Sequence, residues 1–174
     1  MKHAPTLSVL LLMIAFPLLG GAKAASPATS TTPTTAPDAT ATLPTKAQAK
    51  SMVTYRSVVM QDLGKNMKLA NLVAGGQIAR PQDLPGYATV LASAPLAELF
   101  PAGTGPDVVD TGAKPELWTN QIGFSNAIKK YNDATAAVTA AAQTGDLPAT
   151  KLALTQVGDA CSGCHDSFRV EDNK

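Results

Sequence analysis

From Lys46 onward the apolar positions of this chain recur at steps of three and four, the spacing of one face of an α-helix, and no stretch alternates long enough to read as a strand. The first such stretch, Lys46 to Ala74, places Met52, Arg56, Val59, Met60, Leu63, Met67 and Ala70 on one face and stops at Gly75 and Gly76. A second, from about Asp83 to Ser93, has a stripe of Leu84, Tyr87, Val90 and Leu91, with Pro85 tolerated in the first turn and Pro95 ending it. A short turn over Leu96 to Phe100 follows. Residues 101–114 hold turn formers without a usable period and predict a long loop. A third helix is predicted from Pro115 to a stop at Gly145, with the stripe Leu117, Gln121, Phe124, Ile128, Tyr131, Thr135 and Val138. Asp146 then caps a fourth, with Pro148 in its first turn and Val157, Cys161, Cys164 and Phe168 at steps of four, three and four. Four helices joined by two short connections and one long one predict an all-α fold, an antiparallel four-helix bundle around one core.

The chain before Thr45 is different in kind. MKHAPTLSVLLLMIAFPLLGGAKA has a basic start, an apolar run from Leu7 to Leu19 and a small-residue ending, the three parts of a secretory signal with cleavage expected after Ala24. The apolar run is too short for a bilayer span, which takes about 20 residues, so no stable membrane span is expected once the leader is removed. Residues 25–45 are almost wholly Ala, Thr, Ser and Pro and predict a disordered spacer, because such a segment buries too little apolar surface to offset its ordering entropy. The folded domain is expected over 46–174. The 174 residues are 45% hydrophobic and leave room for one domain with a real core. Their formal charge is +1, and losing Lys2 and Lys23 with the leader leaves 12 basic against 13 acidic residues, or −1. That balance gives no electrostatic footprint for nucleic acid.

Both cysteines and one of the two histidines fall within five positions, Cys161-Ser-Gly-Cys164-His165, and export would place them in an oxidising compartment. A redox-active thiol pair wants a helix N-terminus, usually in a βαβ setting, whereas this pair falls late in its helix in an all-helical chain. Structural zinc needs four ligands, and the exported chain has three of these soft donors, so a carboxylate or a second chain would have to supply the fourth. The remaining reading is covalent attachment of one c-type haem, for which C-x-x-C-H is the pattern. Two thiols add to the two vinyl groups, and the adjacent His165 falls under the iron as its proximal ligand. Thioether formation also explains how two close cysteines pass through an oxidising compartment without forming a disulfide.

YRSVVM on the first helix, GKNM just after it, PELWTNQIGF opening the third and VGDACSGCHDSFR on the fourth are together similar to the landmarks of the cytochrome c′ family of bacterial periplasmic haem proteins, in the same order. The resemblance covers essentially all of residues 46–174 and implies the four-helix haem bundle by which that family is known. Carried over by position, it implies His165 as proximal ligand, Arg169 as the basic residue close to it, Arg56 near a haem propionate, and Trp118 and Phe124 as aromatic walls of the haem. A guanidinium binds a carboxylate through two hydrogen bonds, which suits Arg56 to that place. Met60, four residues after Arg56, stands where the family sets a bulky side chain over the vacant side of the iron. Either it packs there without bonding, leaving five-coordinate iron that small gases reach by displacing it, or its sulfur ligates and makes a low-spin His/Met electron carrier. Met67, two turns along the stripe, is expected to pack in the core.

The landmarks favour gas binding, with electron transfer as the alternative. A distal wall of Met60, Val59 and Phe124 denies bound oxygen a strong hydrogen-bond donor and favours nitric oxide and carbon monoxide. Peroxidase turnover, which wants a distal proton-transfer group, typically a histidine, is disfavoured because the exported chain has no second one. The resemblance further implies a periplasmic location, an unidentified redox partner and a homodimer formed through the first two helices, which residues such as Val58 and Ala74 would permit.

Overall fold

The computed structural model describes residues 42–171; the predicted leader and all but the last residues of the predicted spacer lie outside the described residues. Helix α1 (Lys46–Ala74) starts where Thr45 allows it to. The Thr45 hydroxyl accepts from the Gln48 backbone N–H at 3.3 Å while Gln48 Oε1 accepts from the Thr45 N–H at 2.8 Å, so two donors that a helix start leaves orphaned are satisfied reciprocally. The helix ends at Gly75, and Gly76 turns the chain with φ +75°, a conformation open to glycine without strain. A 3₁₀ turn, Pro81–Asp83, leads into α2 (Leu84–Ala92), and a second, Leu96–Leu99, follows it.

The predicted third helix is two helices. A single turn, α3 (Glu116–Thr119), is broken at Asn120 (φ −106°, ψ 66°) before α4 (Gln121–Thr144) begins. Asn120 causes the restart: its Oδ1 accepts from the Gly123 N–H at 3.0 Å, the bond of an N-cap. Gln121 is therefore exposed rather than part of the buried stripe, and its Nε2 donates back to the Leu117 and Trp118 carbonyls at 3.3 and 3.0 Å. α4 ends at Gly145 (φ +72°), and Asp146 caps α5 (Leu147–Phe168) by accepting from the Ala149 N–H at 2.9 Å.

α1, α2, α4 and α5 form the four-helix bundle, α1 packing on α2, α2 on α4, α4 on α5, and α5 back on α1. Their lengths are unequal. The 29 residues of α1 span about 43 Å and the 9 of α2 about 14 Å, so α2 covers only part of its neighbour. Around α2 the core is dense, with Ala88, Leu91, Val138, Leu154 and Val157 at most 1% exposed. Beyond it, the second 3₁₀ turn, the 101–114 loop and α3 replace a helix as the cover, over a smaller cluster of Ala113, Leu117, Phe124 and Phe168. Ala74, expected on an outer face, is 7% exposed and belongs to the first cluster. Among the described residues, no helix is long and apolar enough to cross a membrane.

Candidate functional site

Where α2 runs out, the bundle holds a cavity of about 650 Å³ that α1, α4, α5 and the 101–114 loop share. Cys161, Cys164, His165, Phe168 and Arg169 of α5 and its C-cap all line it. Helical spacing explains the convergence, since residues four apart stand one turn above each other on one face. No disulfide joins the two thiols, and burial pushes both up, with Cys161 adding to the effect on Cys164. Such thiols are held protonated, the opposite of what a redox-active pair requires. Burial, and then the Arg169 charge, hold the His165 imidazole below its ordinary value against a smaller opposing pull from Asp166. A neutral imidazole is the form that ligates metal. Among the described residues no group of three or more His, Cys, Asp or Glu side chains is placed to hold a metal ion.

Arg56 of α1 lines the same cavity and is 5% exposed. Its Nη1 donates to the Leu99 carbonyl at 3.2 Å, its Nη2 to Thr111 Oγ1 at 2.9 Å, and its guanidinium lies 4.6 Å from the centre of the Phe100 ring. Burial lowers its pKa, yet the guanidinium stays charged at any physiological pH. Among the described residues no carboxylate pairs with it. A buried cation with neutral partners only, facing a cavity that also presents two thiols and an imidazole, fits a flat group that bonds to thiols and bears carboxylates of its own. Haem c is such a group.

Met60 and Met67 both line the cavity from α1, and Phe124 and Ile128 from α4. Met67, expected only in the core, thus has a cavity face. Two expected wall residues stand elsewhere. Val59 is not among the lining residues. Trp118 sits on the broken turn α3, outside the lining, where its Nε1 donates to the Pro101 carbonyl at 3.2 Å and its ring packs edge-on against Phe100 at 6.5 Å. Phe100 fills the place assigned to Trp118, lining the cavity between Arg56 and an edge-on contact with Phe124 at 5.5 Å. Sequence reading also missed Thr111 and Leu117 as lining residues; a loop without a period gave no signal for Thr111, whereas the apolar end of LAELF could have pointed to Phe100.

A family model described as Cytochrome C′ matches residues 51–169, a span that contains every residue lining the cavity. Cytochrome c′ of Rhodospirillum rubrum is 31% identical over 134 residues, covering 76% of this chain and 90% of that relative. Among solved structures, a cytochrome c′ described as having an unusual ligand-controlled dimer dissociation is similar with a TM-score of 0.64 and 25% identity, over 71% of this chain and 97% of that one. A nitric oxide complex of a mutant cytochrome c prime from Alcaligenes xylosoxidans is similar with a TM-score of 0.62 and 25% identity, again over 71% and 97%.

Proposed function

The chain belongs to the cytochrome c′ family and carries one covalent haem c, and from that premise we propose that it is a periplasmic protein that reversibly binds small gases, nitric oxide foremost, as a scavenger or carrier. Cys161 and Cys164 would hold the group through thioethers, the His165 imidazole would ligate its iron, and Arg56 would bind a propionate. The haem supplies the iron at which a diatomic gas is held.

The observation that carries the gas-binding reading is the rest of the wall. Met60, Leu63 and Met67 of α1, with Phe124 and Ile128 of α4, make it apolar, and its remaining polar residues on α1 besides Arg56 are Ser57 and Gln61, both exposed at the rim. The Tyr131 and Thr111 hydroxyls that also line the cavity are engaged with the Leu91 carbonyl and the Arg56 guanidinium, so the α1 and α4 faces offer a bound ligand neither imidazole nor amine. Met60 would pack against the bound group from α1 as an apolar side chain that a gas could displace and that would offer water no strong hydrogen-bond partner. The nitric oxide complex of the Alcaligenes relative supports this reading. Peroxide cleavage typically uses a second histidine as proton-transfer group, and His165 is the only histidine among the described residues, so we propose binding rather than turnover. A second reading rests on the Met60 sulfur: if it ligates, the protein is a low-spin electron carrier. Either role needs an electron donor, which we leave as an unidentified redox partner.

Tyr55, Val58 and Leu69 are 54%, 58% and 43% exposed on the outer face of α1, and we place the interface of a homodimer there. Equilibrium titration of the reduced holoprotein with nitric oxide and carbon monoxide tests the function: both give saturable spectral changes, whereas oxygen forms no stable complex and only oxidises the iron. A spectrum that neither nitric oxide nor carbon monoxide alters would reject it.

A further inference from the structure

We infer that Thr111 is a positioning residue for the haem, acting through Arg56. A charged side chain inside a bundle is held only if fixed dipoles replace its water, and Arg56 has two such partners, both from the cover that takes over where α2 ends. One is the Leu99 backbone carbonyl. The other is the only side chain bonded to the guanidinium among the described residues, the Thr111 hydroxyl at 2.9 Å. That oxygen also accepts from the Ala113 N–H at 3.3 Å, which uses both of its lone pairs and fixes its direction. The loop so fixed is itself anchored, since Lys114 N–H donates to the Phe168 carbonyl and Val170 N–H to the Gly112 carbonyl, each at 2.8 Å. Thr111 therefore ties the α1 cation to the segment that directly follows the CxxCH helix. The remaining guanidinium donors are aimed by these bonds before any propionate arrives, and the same loop is bonded to the residues at the end of the CxxCH helix.

The inference rests on the reading that Arg56 meets a propionate, and three variants separate the two claims. Thr111→Val keeps the shape and deletes the hydroxyl; Thr111→Ser keeps the hydroxyl; Arg56→Gln deletes the charge. In holoprotein, Thr111→Val is expected to speed hydrogen exchange of the Arg56 guanidinium protons and to lower the reduction potential in the same direction as Arg56→Gln, because a cation that wanders from the haem stabilises the reduced form less. Thr111→Ser should restore both properties to wild type. If Arg56→Gln shifts the potential and Thr111→Val does not, the positioning role is overturned while the propionate reading stands. If Arg56→Gln leaves the potential unchanged, the propionate reading falls and the inference with it. Equal effects of Thr111→Val and Thr111→Ser would assign the result to packing and overturn the inference. Should Thr111→Val fail to fold, the wild-type holoprotein decides: guanidinium protons that exchange as fast as those of an exposed arginine would reject the locked geometry.

Discussion

Ala113 faces Arg169 in a single antiparallel bridge, with the hydrogen bonds from Lys114 to Phe168 and from Val170 to Gly112 on either side of it. This one rung closes the end of the cavity that α2 leaves open and holds the residue after α5 in an extended conformation (φ −110°, ψ 137°) instead of a further helical turn. Val170→Pro deletes one of its two N–H donors without touching the cavity, since Val170 is 48% exposed. Urea denaturation of the holoprotein should show a loss of about 0.5–1.5 kcal/mol, the net size of one hydrogen bond whose exposed Gly112 acceptor can turn to water. A variant as stable as wild type would mean that the bridge does not hold the loop.

Tyr131 makes a second long-range bond, donating its hydroxyl to the Leu91 carbonyl at 2.7 Å from a side chain only 4% exposed. Tyr131→Phe should destabilise by about 1–3 kcal/mol at neutral pH. Burial first, and the neighbouring Cys161 second, push this phenol well above the ordinary tyrosine range. The folded state therefore resists ionisation that the unfolded chain accepts. The sign follows: the contribution is fully present below about pH 10 and is lost as pH climbs above it. Denaturation between neutral and strongly alkaline pH should show a steeper loss for wild type than for Tyr131→Phe, and parallel curves would contradict the assignment.

The parts of the fold legible in the sequence are those set by local chemistry. Gly75 with Gly76, and Asp146 with Pro148, are a stop and a cap whose bonds close within a few residues, and helices end and begin there. The CxxCH face was legible for the same reason. What was not legible depends on bonds across the chain. Arg56 meets Leu99 and Thr111 across 43 and 55 residues, and no periodicity encodes a partner that far away. The break at Asn120 left a trace, an N-cap residue inside an apolar stripe, but the stripe continues on both sides of it and masked the restart. That break carries Trp118 away from the cavity and leaves Phe100 in its place.

Met60 lines the cavity from α1, and under the proposed function it is the side chain that a gas would have to displace. Replacing it with alanine removes a flexible thioether from the cavity wall. Met60→Ala should bind carbon monoxide and nitric oxide faster than wild type by stopped-flow absorbance, because entry no longer waits for a side chain to swing aside. The covalent haem should be retained, since its thioethers come from α5. Unchanged association rates and an unchanged resting spectrum would show that Met60 does not cover the site.

The most direct test of the central claim is the optical and electron paramagnetic resonance spectrum of the oxidised and reduced holoprotein, recorded before and after nitric oxide. High-spin, five-coordinate iron is expected in both oxidation states, converted by the gas to a nitrosyl spectrum that reverses when the gas is removed. A low-spin resting spectrum that nitric oxide does not change would contradict it, placing a side chain such as Met60 in the sixth position and making the protein an electron carrier.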